Sequence, residues 1–399
     1  MPSVSRTKTP IYYTLLSLTF ILLAFGIVMI PSASSVVAYL GHKDSFFFLW
    51  RQLAYLALGV TLLFVFSKID YRWLRKLAPL GMLATFITLA MVLMPGFGRA
   101  AGGASRWIEL AGFRFQPSEM AKLSFVLYTA DVLARSGKNP VKLTELAKPL
   151  GIPFLIVGAL IMKQPDLGTF LIIAISVFSM LFISGTRLRE LFAAAAAGLF
   201  MIAMLILVEP YRFARLTAFL DPWADPKKKG FQIIQSLLAF GSGGLHGVGL
   251  GLSRQKFGYL PAPYTDFIFA VIGEELGLPG TLTVVFVFLL LALVIMVAVR
   301  RCEDRFARLL GGGIGAMIIS QAVINMGAVT GIMPITGIPL PLISFGGTSL
   351  VLTLAGIGIL LNLTTRTRNK KRGVKSENND LRRRNGRPRL SRTGARGSA

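Results

Sequence analysis

Runs of roughly 17 to 25 predominantly apolar residues recur along almost the whole chain. Such a run, coiled as a helix rising about 1.5 Å per residue, crosses a hydrocarbon core about 30 Å thick, and this restricts the fold to a bilayer. We read ten of them, at 12–30, 50–67, 77–94, 118–134, 149–164, 168–185, 190–208, 266–299, 308–331 and 343–363. With 54% hydrophobic and 15% charged residues over 399 positions, the chain holds more apolar surface than a soluble fold of that size can bury. The expected fold class is all-α, a polytopic membrane protein of about ten transmembrane helices. Within the stretch 149–185, Gln164-Pro165-Asp166-Leu167-Gly168 places a proline, a charge and a glycine in mid-run, which predicts a tight turn between two short crossings.

Lysine and arginine near the spans set the orientation, because positive loops are retained in the cytoplasm. The excess falls on 1–11, 68–76, 135–148, 186–189, 300–308 and 364–399, which puts both termini inside. Pro31-Ser32-Ala33-Ser34 faintly resembles a signal-peptide cleavage site, but the apolar run before it is longer than a signal core and further spans follow, so it reads as an uncleaved first helix. The single cysteine, Cys302, excludes an intramolecular disulfide and a multi-cysteine metal site. Much of the +25 charge sits in 364–399, where 13 basic residues face two acidic ones with little apolar content. That segment reads as a disordered cytoplasmic tail attracted to anionic headgroups rather than a nucleic-acid site, leaving 1–363 as the transmembrane domain.

No room remains for a separate soluble catalytic domain, so chemistry must sit in loops and at helix ends. One loop dominates: 209–265, predicted outside and structured. Within it, Phe231 to Phe240 predicts an interfacial or re-entrant helix with Ile234, Leu237 and Leu238 on its apolar face. The glycine-rich run from Gly241 to Gly251 permits close backbone approach, either to phosphate or as a plain turn. Seven basic residues, Arg212 and Arg215 among them, suit either a lipid-linked phosphate or membrane headgroups.

Asp266, at the start of the eighth span, suits both a helix N-cap and a catalytic carboxylate at the membrane surface. Glu274 and Glu275 lie deeper in the same helix, where a carboxyl is costly and marks either function or a buried partner. Glu119 and Lys122, three apart at the start of the fourth span, share a helix face and can pair. Gly311 and Gly315 have the spacing of close helix packing, and Gln321 and Asn325 can bond across helices. The run from Gly337 to Ser349 interrupts any regular helix, and irregular backbone at membrane depth must be buried in protein or line a wet cavity.

Several motifs together, in order from the first span to the tenth, resemble the SEDS family, the peptidoglycan polymerases typified by FtsW, RodA and SpoVE. They are Ser32-Ala33-Ser34, Gly103-Ala104-Ser105-Arg106-Trp107-Ile108, Gln116 to Lys122, Gln164-Pro165-Asp166-Leu167-Gly168-Thr169, Thr265 to Ala270 with Gly273-Glu274-Glu275-Leu276-Gly277, and Pro341 to Gly347. Glu209-Pro210-Tyr211-Arg212 and Asp221-Pro222-Trp223 look like the division-type FtsW branch. Many relatives carry an acidic residue and a histidine just before the Thr-Asp pair; here Ala262, Pro263 and Tyr264 stand there, so no local histidine base is available.

The resemblance implies a peptidoglycan glycosyltransferase that polymerises lipid II at the outer face of the cytoplasmic membrane, at the division septum. Asp266 would be the base, with Lys122, Arg212 and Arg215 neutralising the leaving pyrophosphate, helped by a divalent cation such as Mg²⁺. Glu119 would position Lys122 or bind metal, a role also open to Asp266. Arg106, Gln164, Asp166, Glu274 and Ser344, all within the matched motifs, complete the expected substrate-binding set. The partners implied are a class B penicillin-binding protein, other division proteins and membrane lipids. A lipid II flippase and a non-catalytic division scaffold are the alternatives, since broken helices and buried charges are equally natural in a transporter.

Overall fold

The computed structural model describes residues 9–95, 98–101, 104–110, 113–137 and 142–384. Its helices are α1 (Pro10–His42), α2 (Phe47–Lys68), α3 (Tyr71–Leu93), α4 (Pro117–Arg135), α5 (Leu143–Leu146), α6 (Ile152–Met162), α7 (Leu167–Ile183), α8 (Leu188–Val208), α9 (Pro210–Leu220), α10 (Phe231–Gly243), α11 (Ile268–Arg300), α12 (Arg305–Val329) and α13 (Gly347–Arg384). A π-helical turn, Ala147–Gly151, joins α5 to α6 around Pro149, whose ring nitrogen has no hydrogen to donate. Among the described residues, eight helices are long and apolar enough to cross a membrane, counting Leu143–Met162 as one. Two shorter or more polar helices complete the ten expected crossings. They are α7, with 17 residues, and α4, which carries Glu119, Lys122, Asp131 and Arg135. The expected turn separates α6 from α7.

Burial distinguishes the centre of the bundle from its rim. Of the residues in the spanning window of α13, 94% are buried, and 67% in that of α12, whereas only 6% are in that of α8, which lies at the rim. Small residues make the central packing possible: Gly313 of α12 sits against Met180 and Val126, and Gly315 lies 2.6 Å, measured from where a Cβ would stand, from the Ile295 side chain of α11.

Three features depart from the sequence reading. A small antiparallel sheet interrupts the all-α pattern between α3 and α4: β1 (Arg99–Ala101), β2 (Ala104–Leu110) and β3 (Phe113–Phe115), in the order β1-β2-β3. Alternation of apolar and charged residues pairs Ile108 with Phe115 and Glu109 with Arg114 across β2 and β3. On α10 the buried face is Ile233, Ile234, Ser236 and Ala239, while Leu237 and Leu238 are exposed; the Ser236 hydroxyl donates to Val329 O at 2.6 Å, and Phe240 and Gly243 pack on α11. Finally, α13 continues as helix to Arg384, so the tail expected to be disordered from 364 begins helically; a helix already nucleated in the bundle propagates at little cost. Residues 385–399 of that tail lie outside the described residues.

One of the two 33-residue spanning helices, α11, is broken. Gly277 has φ +64° and Pro279 has no N–H, so the carbonyls of Glu274 and Glu275 lack helical partners. The glycine-rich segment fills the break: Val248 N and Gly249 N donate to Glu274 O and Glu275 O at 3.0 Å each, and Leu278 N donates to Gly244 O at 3.1 Å. Gly243 and Gly247 stand where a Cβ would strike the Gly273 and Glu275 carbonyls. Close backbone approach is thus the function of these glycines, and what they approach is a helix of their own chain.

Candidate active site

At one end of the bundle a cavity of about 320 Å³ lies among α2, the sheet, the N-termini of α4 and α7, the segment before α11, and the irregular run 337–349. Its charged lining is Arg51, Arg106, Arg114, Glu119, Asp166 and Asp266, interleaved with Phe48, Tyr55, Trp107, Tyr264 and Phe345. The Gly337–Ser349 run, which the sequence places in protein or around a wet cavity, forms one wall.

Asp266 is held by its backbone and free at its side chain. Asn325 Nδ2 donates to Asp266 O and Ile338 O, both at 2.8 Å; Ser344 Oγ donates to Thr265 O at 2.6 Å; Phe345 N donates to Tyr264 O at 2.9 Å. Phe267 occupies the cap position of α11 with no side-chain cap bond, so Asp266 does not act as the cap. Among the described residues its carboxylate makes no hydrogen bond or ion pair. Gly337, at φ +73°, leaves room on that side: a Cβ there would lie 3.7 Å from Asp266 Oδ2 and 3.8 Å from Arg215 Nη1. Asp266 retains some exposed surface towards the cavity, but the walls remove its carboxylate from bulk water. That desolvation pushes its pKa up to about 6, against the opposing pull of Arg215 and then Arg106.

The other acidic residues are occupied. Glu119 and Lys122 form an ion pair at 2.8 Å, both 3% exposed, and Lys122 Nζ also donates to Gln321 Oε1 at 2.6 Å. Asp166 caps α7, accepting from Thr169 N at 3.1 Å, Thr169 Oγ1 at 2.8 Å, Ser118 Oγ at 2.9 Å and Gln116 Nε2 at 3.3 Å. Arg106 donates from Nε to Gln164 O at 2.7 Å and from Nη2 to Pro165 O at 2.5 Å, binding the sheet to the α6–α7 turn, and buried Gln164 donates to Leu89 O at 3.2 Å. Arg215 lies over the Tyr211 ring at 4.6 Å and donates to Ile335 O at 3.0 Å, at the edge beyond Gly337.

Six expected site residues, Lys122, Gln164, Arg212, Arg215, Glu274 and Ser344, do not line the cavity. Arg212 donates to Leu205 O at 3.0 Å and Met162 O at 3.3 Å, closing the carbonyl ends of α8 and α6. Glu274, fully buried, accepts from Ser253 Oγ at 2.5 Å, Arg254 N at 2.9 Å and Gln255 N at 3.4 Å, and so anchors the 209–265 loop. Ser344 supports Thr265 from behind rather than lining the space. Conversely, Arg51 and Arg114 line the cavity although only helix and strand positions marked them. An arginine at the entrance to a span and the Phe113-Arg114-Phe115 alternation were the available signals.

The donor set does not form a resident metal site: among the described residues no group of three histidine, cysteine or acidic side chains could hold an ion. Asp266 is unspent, whereas Glu119 and Asp166 are committed to partners.

These features define a multi-pass helical membrane protein with a half-enclosed cavity, lined by three arginines and three acidic residues, around one uncommitted carboxylate. Residues 13–369 match the family FtsW/RodA/SpoVE, described as "Cell cycle protein". The chain is 43% identical over 345 residues to a Geobacter metallireducens protein described as "Probable peptidoglycan glycosyltransferase FtsW", covering 86% of this chain and 92% of that one. It is 42% identical over 367 residues to stage V sporulation protein E of Bacillus subtilis, covering 92% and 100%. A solved chain from "Structural coordination of polymerization and crosslinking by a peptidoglycan synthase complex" superposes with TM-score 0.74 at 32% identity, over 89% of this chain and 98% of that one. Thermus thermophilus rod shape determining protein RodA gives 0.66 at 31%, over 88% and 96%. The chain belongs to the FtsW/RodA/SpoVE family.

Proposed function

We propose that this protein is a peptidoglycan glycosyltransferase acting in cell division, polymerising lipid II into glycan strands at the outer face of the cytoplasmic membrane. One observation carries the mechanism: of the carboxylates lining the cavity, Asp266 alone is uncommitted among the described residues. Ionised Asp266 takes the proton of the acceptor hydroxyl as that oxygen bonds to the donor's anomeric carbon. The bond from that carbon to the pyrophosphate oxygen breaks, and polyprenyl pyrophosphate leaves with the electron pair. Arg106, Arg51, Arg114 and Arg215 offset its charge. Glu119 keeps Lys122 in place, and Asn325, Ser344 and Phe345 fix the base through its backbone. Mg²⁺ accompanying the pyrophosphate is compatible with this reading, but no step here depends on it.

Both termini face the cytoplasm and the protein works at the septum. A transpeptidase of the class B penicillin-binding type is the proposed partner, supported by the synthase complex to which the fold is similar. Purified protein supplied with lipid II, with and without that partner, tests the reading: glycan chains lost on Asp266→Asn support it. Translocation across liposomes without polymer identifies a flippase, and full function of Asp266→Asn in cells identifies a scaffold.

A further inference from the structure

Beside Asp266 the cavity wall is aromatic, and its rings are arranged as a unit. Phe48 of α2 lies 4.3 Å from Tyr264 and 5.2 Å from Phe345, centroid to centroid, and Tyr264 lies 5.9 Å from Phe345. These are the tilted and edge-on separations that aromatic pairs prefer. All three rings line the cavity, and the Phe345 N–H that donates to Tyr264 O ties the wall to the segment carrying the base. Tyr264, half-buried, makes no hydrogen bond through its hydroxyl among the described residues, although a buried tyrosine ordinarily finds a partner. Desolvation raises its pKa further, which keeps the hydroxyl a neutral donor.

We propose that Phe48, Tyr264 and Phe345 form a saccharide-stacking subsite that holds the acceptor sugar of lipid II, with the Tyr264 hydroxyl as a positioning donor two residues from the base. A pyranose has an apolar, weakly positive C–H face and a polar rim. The aromatic faces carry the complementary negative charge, and Arg51 and Arg114 on the same walls meet the rim. A prenyl chain fits the place poorly, since six charged residues line it and the hydrocarbon core is a better solvent for the chain. The volume, near the lower end of ligand pockets, suits sugar rings rather than a whole lipid-linked precursor.

The proposal rests on the polymerase reading, and its test separates the two. Full-length Asp266→Asn protein in detergent would be titrated with lipid II and, in parallel, with undecaprenyl pyrophosphate, which has the same lipid and phosphates but no sugar. Trp107, on the same cavity, supplies the fluorescence readout. Phe48→Leu with Tyr264→Leu should weaken lipid II binding about tenfold or more while leaving undecaprenyl pyrophosphate unchanged. Phe48→Tyr with Tyr264→Phe, which keeps every ring, should retain the discrimination. In the otherwise native protein the leucine pair should raise KM for lipid II more than it lowers kcat. Equal weakening for both ligands, or none for either, overturns the subsite whether or not the protein polymerises. If the leucine pair loses its thermal transition, Phe48→Met alone, which keeps bulk without a ring, must show the selective loss, and its absence there also overturns the proposal.

Discussion

Asp266 and Glu274 occupy one short stretch of chain around the start of α11, and the structure treats them in opposite ways. The carboxylate of Asp266 faces a cavity and has no partner among the described residues, while its backbone is gripped from three sides. Glu274 is sealed, its oxygens taken up by a serine hydroxyl and two backbone N–H groups of the 209–265 loop. Glu275 beside it accepts from Ser32 on α1, at 2.7 and 2.6 Å, and pairs with Lys256 at 3.2 Å. An acid at membrane depth can therefore serve reaction or assembly, and the count of its hydrogen-bond partners separates the two.

The comparison breaks most visibly at Asp266→Asn. We expect chain synthesis to fall by about 10²- to 10⁴-fold, as for loss of a general base, with the thermal transition unmoved because the structural bonds there run through the backbone. A rate within a few-fold of the parent would remove Asp266 from the mechanism.

Next in size is the response to pH. Asp266 works as the carboxylate, and its pKa is pushed up to about 6, so activity should be level above that value. Below it activity should drop about tenfold per pH unit as the base is protonated. A profile level down to pH about 5 contradicts the shift.

Glu274→Ala should act on folding instead. It strips the acceptor from Ser253 Oγ, Arg254 N and Gln255 N, at a cost of about 1–3 kcal/mol read by denaturation in detergent. KM per folded molecule should stay put, and a large KM change with unaltered stability would place Glu274 in the site. The smallest effect is expected at Arg212→Gln, which frees two helix-end carbonyls for about 1 kcal/mol and leaves KM for lipid II unchanged. Arg215→Gln, at the cavity edge, should raise it.

Much of the architecture was legible because a span needs only length and apolarity, properties of contiguous residues. The α6–α7 turn followed likewise from Gln164 to Gly168, and α10 from its periodicity. The rotation of α10 did not follow: Leu237 and Leu238 look as apolar as Ile233 and Ile234, and only the packing of α10 on α11 and α12, the Ser236 bond included, decides which pair is buried. In lipid an exposed leucine costs nothing, so apolarity alone no longer marks the inside. The same limit applied to the arginines. Arg212 and Arg215 sit three apart on α9, yet one closes helix ends and the other approaches Gly337.

The order of spans, the family motifs and the candidacy of Asp266 are fixed by the chain's own residue pattern, because hydrophobic length and motif spacing are local quantities. Tertiary packing alone decided that the glycine-rich segment mends the break in α11, that Glu274 is an anchor, and that Phe48, Tyr264 and Phe345 meet beside the base. Each of these depends on side chains distant in sequence satisfying, or leaving unsatisfied, one another's polar and aromatic surfaces, and a linear pattern does not encode which distant groups will meet.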